Sequence, residues 1–158
     1  MRRVRAGEIV SAAGGAALLV IMFLEWYALG LGSVTPLGDA DLGVNAWEAF
    51  GVIDLLLALV AVLGLALLAV QLVGRGPALP VAFEVVTSTL ALVAVLLVAY
   101  RIVNQPGSND LVDVSLGAWL GLVATAVVFW GAWKSLSDER PRPVDPPAPE
   151  PERRPTPA

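Results

Sequence analysis

Four ionisable side chains fall inside long apolar runs of this chain: Glu25, Asp54, Glu84 and Arg101. A charge held in hydrocarbon is costly, so each must be neutralised by a partner or retained for an ion, a proton or a ligand. By helical rise, Glu25 lies about 9 Å inside the far end of the first run, Asp54 about three to seven residues into the second, and Arg101 about two residues from the end of the third. If the runs are helices of alternating direction, all three sit at similar height beneath one membrane surface. An arginine with one or two carboxylates offsets the cost of placing each group there. The expected arrangement is an ion-pair cluster of Glu25, Asp54 and Arg101, with Glu48 at its rim facing water. An acidic pocket for a solute is the competing reading of the same residues.

Glu84 stands apart, near the opposite end of the third run. Ser88 is one helical turn further on and shares its face, and Thr87 adds a hydroxyl, giving a small inner polar patch. Arg5, Arg75 and the lipid headgroups are the groups available to neutralise Glu84. Glu84 and Arg101 are separated by about 25 Å of helix. Between these levels the chain offers little more than Thr87, Ser88, Thr89 and Thr125, too few polar groups for a proton or ion path. Glu8 at the mouth of the first run reads as an acidic residue favoured near a helix N-terminus.

The remaining composition removes whole classes of chemistry. With no Cys and no His, thiol nucleophiles, disulfides, imidazole proton shuttles and the usual zinc sites are all absent. The segment Asp39 to Asn45 (DADLGVN) is superficially like a calcium loop, but Leu42 and Gly43 break the spacing and Phe50 stands where the bidentate Glu belongs. A solvated turn is the expectation there. No phosphate loop, nucleophile elbow or dinucleotide fingerprint lies between a strand and a helix. No catalytic, cofactor or metal residue is expected, and the chain reads as a non-enzyme.

The elements that position these residues follow from the apolar blocks. Of the 158 residues, 57% are hydrophobic and 15% charged, against roughly 45–50% and 25% in a soluble domain. The excess is gathered in four blocks, predicting helices over about residues 9–31, 47–73, 81–103 and 114–134, the second led in by a turn at Trp47 to Phe50. A helix of ~20 residues spans the ~30 Å hydrocarbon core, and the blocks lack the alternation of barrel strands. The expected fold is all-α: an up-down-up-down integral membrane four-helix bundle over about residues 1–136, followed by a disordered Pro-rich tail over about 137–158. GRGPALP (Gly74 to Pro80) reads as a tight turn, NQPGSNDLVD (Asn104 to Asp113) as a short polar loop, and Gly32 to Ala46 as the longest outer loop. A cleaved signal peptide is the alternative for the first block. Its length, Glu25, Trp26 and the lack of a small-x-small site disfavour that reading.

Orientation comes from the basic residues. Arg2, Arg3, Arg5, Arg75, Lys134, Arg140, Arg142, Arg153 and Arg154 fall on one side, and Arg101 alone lies near the other. The basic side is expected to be cytoplasmic, with both termini there and the protein in the cell membrane. Trp26, Tyr27, Trp47, Phe50, Tyr100 and Trp119 form an outer aromatic belt, and Phe83, Phe129, Trp130 and Trp133 an inner one. The tail holds eight of the twelve prolines, and PRPVDPP and PPAPEP within it match the composition of aromatic-groove ligands; a solvating tail is the expectation. Gly117 and Gly121 make a GxxxG step that brings helix backbones close, either within the bundle or between copies. Besides the lipid bilayer, another membrane protein or a second copy of the chain are the partners in view, and the net charge of −4 gives no ground for nucleic acid.

The segments RAGE (Arg5 to Glu8), FLEWY (Phe23 to Tyr27), AWEAFGVIDLLLAL (Ala46 to Leu59), GAWLGLVA (Gly117 to Ala124) and SLSDER (Ser135 to Arg140) together resemble small four-span membrane proteins of actinobacteria and related high-GC bacteria. A single Lys against nine Arg fits such a coding bias. The resemblance covers about residues 5–139 and implies an architecture, not an activity. FLEWY departs from an FLPWY-type ending by placing Glu25 where the family pattern has Pro, so the resemblance implies no role for Glu25. Animal claudins share four spans, but their paired loop cysteines are missing here. Two functions remain: a non-enzymatic scaffold or subunit of a cell-envelope complex, and a small transporter or ligand sensor using the outer acidic pocket.

Overall fold

The computed structural model describes residues 6–29, 43–73, 78–106 and 112–138. The described chain is mostly helical, in the order α1 (Ala6–Ile21), β1 (Glu25–Leu29), β2 (Gly43–Asn45), α2 (Ala46–Ala49), α3 (Ile53–Val73), α4 (Ala78–Val103), β3 (Val112–Val114) and α5 (Leu116–Asp138). Three of the helices, α3, α4 and α5, are long and apolar enough to cross a membrane, while α1 has 16 residues and is shorter. The all-α expectation is corrected by a three-stranded antiparallel sheet in the order β2-β1-β3.

The first expected helix, over about residues 9–31, ends ten residues early, and the reason is local. After Ile21 the chain tightens: Phe23 N–H donates to the Val20 carbonyl (3.1 Å) and Leu24 N–H to that of Ile21 (3.0 Å). The Trp26 indole folds back and donates to the same Ile21 carbonyl at 2.9 Å, a second bond to an acceptor in the last turn of the helix. Glu25–Leu29 (EWYAL) then runs as the central strand, pairing with β2 on one side and β3 on the other. Residues 22–29 are as apolar as a helix would require, and apolarity alone does not separate a buried strand from a helix.

The second expected helix, over about residues 47–73, is split. Asn45 caps the single turn α2, accepting from the N–H groups of Trp47 (2.9 Å) and Glu48 (3.1 Å), while the Glu48 carboxylate accepts from the Asn45 N–H (3.1 Å). This reciprocal pair is a capping box. Phe50 is extended at φ −123°, ψ 147°, which breaks the helix and turns its ring inward, and α3 restarts at Ile53. The third helix starts three residues earlier than expected because Pro80 falls in its first turn, where a missing N–H costs nothing. The fourth gains Ser135–Asp138 and yields Val114 to β3. The segments 30–42, 107–111 and 139–158, which include most of DADLGVN and nearly all of the expected Pro-rich tail, lie outside the described residues.

The four longer helices form a ring in which α1 and α4 are diagonal: α5 and α3 each pack on both of them. Neighbours run antiparallel. Gly7 of α1 meets Gly131 and Ser135 of α5, Gly14 meets Val128, and Gly15 meets Ala61 and Leu65 of α3. The interior of the ring is filled by Leu18, Leu57, Val60, Ala61, Ala91, Ala94, Val98 and Val128, none more than 1% exposed. Large apolar side chains such as Val20, Val62, Leu72, Leu96 and Val123 point outward instead, each more than half exposed. An apolar exterior of this kind suits lipid as solvent, since a soluble monomer rarely exposes a continuous apolar surface.

Candidate functional site

The sheet closes one end of the helical ring and gathers the outer candidates around Trp26, Tyr27 and Phe50. The Trp26 indole packs edge-on against the Phe50 ring (5.6 Å, 90°), and the Tyr27 ring does the same (5.8 Å, 88°). The Arg101 guanidinium lies over Phe50 at 5.7 Å from the ring centroid, a cation–π contact. Gly117 and Gly121 hold the Trp26 seat open. A Cβ at Gly117 would meet the Glu25 carbonyl oxygen, and one at Gly121 would meet the indole six-membered ring. The GxxxG step therefore faces the chain's own β1, a close approach that only a residue without a Cβ allows.

Glu25, Asp54 and Arg101 share this end of the bundle, but each has a different partner. Glu25 is exposed and accepts a hydrogen bond from the Ser115 hydroxyl at 2.6 Å. Asp54 is 8% exposed, and its carboxylate accepts from the Leu55 N–H at 2.7 Å in the first turn of α3, where the helix dipole favours an acid. Arg101 faces Phe50, and its backbone carbonyl accepts from the Tyr27 hydroxyl at 3.2 Å. Among the described residues no ion pair joins the three. What Glu25 does line is a cleft of about 280 Å³ with Phe23, Gly43, Asn45 and Glu48. Trp47 packs on Phe23 at 6.0 Å, and its indole N–H is buried without a hydrogen-bond partner. Two carboxylates and an amide beside aromatic rings can accept from an amine or guanidinium donor. Among the described residues no group of three or more His, Cys, Asp or Glu is placed to hold a metal.

Tyr27 connects this cap to α4. Burial pushes its phenol up to about 12, with the Arg101 charge pulling the other way. The folded state thus holds the phenolic proton more tightly than the unfolded chain, whose tyrosine titrates near 10. Below pH 10 both states are protonated and the cap has its full stability. Between pH 10 and about 12 the unfolded state ionises first, so stability falls as pH rises. Tyr27→Phe is expected to flatten that alkaline limb and to cost about 0.5–1.5 kcal/mol at neutral pH for the lost hydrogen bond. Unfolding in detergent followed at pH 8 to 12 measures both effects.

At the opposite end the inner patch is wholly interior. Glu84, Thr87 and Ser135 are 0% exposed and Ser88 is 5% exposed. The Ser135 hydroxyl donates to the Glu84 carboxylate at 2.5 Å, and Ser88 donates to the Val85 carbonyl at 3.1 Å. Glu8, expected as an acidic residue near a helix N-terminus, does stand in the first turn of α1 and is fully buried there, because Gly7 draws that turn flush against Gly131 and Ser135. Ser135→Ala deprives a buried carboxyl group of a donor and is expected to destabilise the bundle by about 1–3 kcal/mol; Ser137→Ala, removing an exposed hydroxyl that back-bonds to Trp133, is the control expected to stay within about 0.5 kcal/mol. Thermal unfolding of the two variants in one detergent makes the comparison.

Ser115, Trp26, Tyr27 and Ser135 are the partners that residue-by-residue reading misses. One signal was available for Ser135. Continuing the small-residue stripe from Gly117 and Gly121 in steps of three and four through Thr125, Val128 and Gly131 leads onto it, and all of these are buried. Ser115 carried none, since its bond to Glu25 spans 90 positions of sequence. No protein-family model matches the chain, and neither a curated protein nor a solved structure matches it.

Proposed function

We propose that the chain is a non-enzymatic, multi-pass membrane protein that crosses the bilayer four times and serves as a scaffold or subunit of a cell-envelope complex. In this reading both termini are cytoplasmic and the sheet caps the outer end. The packed ring carries the proposal: its axis is filled by apolar side chains in mutual contact, while its circumference exposes large apolar ones. Such a body is built to hold its shape in lipid and present helix faces and a cap to a partner. The short α1 crosses together with the apolar turn Met22–Leu24, and the strands then lie in the interface, where their edges can be solvated. Affinity purification in mild detergent, with and without residues 139–158, tests the proposal. A stoichiometric partner is the expected result, and a chain that purifies alone in both forms overturns the scaffold role.

The cleft of Glu25, Asn45 and Glu48 favours one second reading, a small transporter or sensor for a cationic solute. Glu25→Gln with Glu48→Gln would then abolish a solute-dependent rise in melting temperature without lowering the melting temperature of the unliganded protein. An unchanged response in the variant removes that reading.

A further inference from the structure

The apolar belt around the ring is not equally tall on all sides. Close approaches of small residues fix the heights of three helices against one another. Ser11 lies against Gly64 and Gly15 against Ala61, while Ser11 also meets Gly131 and Gly7 meets Ser135. Lys134, exposed on α5, therefore stands level with the first turn of α1 and with the part of α3 one turn beyond Gly64. From that level α3 continues inward about 6 Å to Leu72, which is 69% exposed. At the outer end the two sides finish together. Val52 lies about 14 Å beyond Ala61, the reach that α1 and its turn cover from Gly15 to the exposed Glu25. The belt is thus about 25 Å tall between Glu25 and Lys134 on the α1/α5 side, and about 30 Å between Val52 and Leu72 on α3. Trp130 and Trp133, exposed beside Lys134, mark the shorter inner limit independently, because an indole prefers the headgroup level. Every described exposed side chain of α3 is apolar, so nothing there ends the belt earlier. Tilting the ring does not level the two sides, since a tilt that lifts Lys134 out of the hydrocarbon drives Glu25 into it.

We propose that the α1/α5 face is matched to a thinner hydrocarbon layer than the α3 face and recruits phospholipids with shorter acyl chains. The inference rests on the membrane reading and adds to it which lipid lies where. Mismatch carries a modest cost for every ångström, so a difference of about 5 Å is expected to give a preference of about two- to threefold for the shorter chain.

Trp119, Trp130 and Trp133 report on this face, since all three are exposed on α5. The full chain is reconstituted in vesicles of brominated phosphatidylcholine, with chains that form the usual ~30 Å core, mixed with an unbrominated phosphatidylcholine of shorter, equal or longer chain. Relief of tryptophan quenching measures how well each competitor displaces the brominated lipid. The shorter competitor is expected to displace it about two- to threefold better than the one of equal length. That advantage should vanish in the double variant Glu25→Leu, Lys134→Leu, which extends the belt at both ends. It should persist in Leu72→Lys, which shortens only α3. No advantage in the wild type overturns the proposal and leaves the membrane reading standing. An advantage that survives the double variant, or is lost in Leu72→Lys, overturns its placement on α1/α5. Flotation of the same vesicles separates the two readings. A chain that floats with them but is quenched by no lipid has this face covered by protein, which overturns the proposal alone; a chain that does not float overturns both.

Discussion

Trp26→Ala is expected to be among the most damaging single substitutions in the chain, costing about 3–5 kcal/mol, the range for emptying a buried indole site. The indole is 0% exposed and has three simultaneous tasks. It donates to the Ile21 carbonyl and so terminates α1, it packs edge-on against Phe50, and it fills the space above Gly121. The same geometry makes Gly121→Leu destabilising, because a side chain there occupies the volume of the ring, and overpacking of this kind costs about 1–3 kcal/mol or more. The two effects are not independent. In the double variant the leucine enters space that the indole has vacated, so the loss is expected to fall short of the sum by at least about 1 kcal/mol. Chemical unfolding of the four proteins in one detergent checks the cycle, and additive losses would show that Trp26 does not sit on Gly121.

The second large effect belongs to the other end. A Cβ at Gly7 would lie 2.7 Å from the Gly131 carbonyl oxygen and 2.7 Å from the Ser135 nitrogen, and one at Gly131 would meet the backbone of Ser11 and Gly7. These neighbours are backbone atoms, so no rotamer change relieves the clash and the helices must separate. Gly131→Leu is expected to cost more than about 3 kcal/mol, at the upper end of overpacking effects. It also draws Ser135 away from Gly7 and exposes the neighbouring buried Glu8 to water. Hydrogen exchange of the α1 amides reads this directly: protection should be lost along Ser11–Leu18 in Gly131→Leu and retained in Gly51→Ala, where an added Cβ meets nothing within 4 Å.

Both predictions depend on contacts that the amino-acid order announces only in part. The small residues were visible as stripes, and their function of close helix approach follows from chemistry. Which surface they meet does not follow. Gly117 and Gly121 read equally well as a contact between two copies or as an internal seam, until Trp26 is found lying on them. Likewise Glu25, Asp54 and Arg101 were assigned a common height by counting helical rise, and they do share one end of the fold. Counting does not give azimuth, and the guanidinium turns to Phe50 while the Glu25 carboxylate turns to Ser115.

By itself the sequence determined the three long apolar helices, α4 and α5 to within about four residues at each end and α3 at its C-terminal end, because a run of twenty apolar residues has no other way to satisfy its backbone in lipid. It also determined which chemistries are closed to the chain, since a protein without His or Cys lacks those ligands and nucleophiles in any fold. Tertiary structure alone decided the fate of residues 22–29 and 43–52. Their apolarity encodes burial but not the form of burial. A strand at Glu25–Leu29 exists only because Gly43–Asn45 and Val112–Val114 arrive on either side to pair with it. Those partners come from distant parts of the chain and are brought together by the helices that end there.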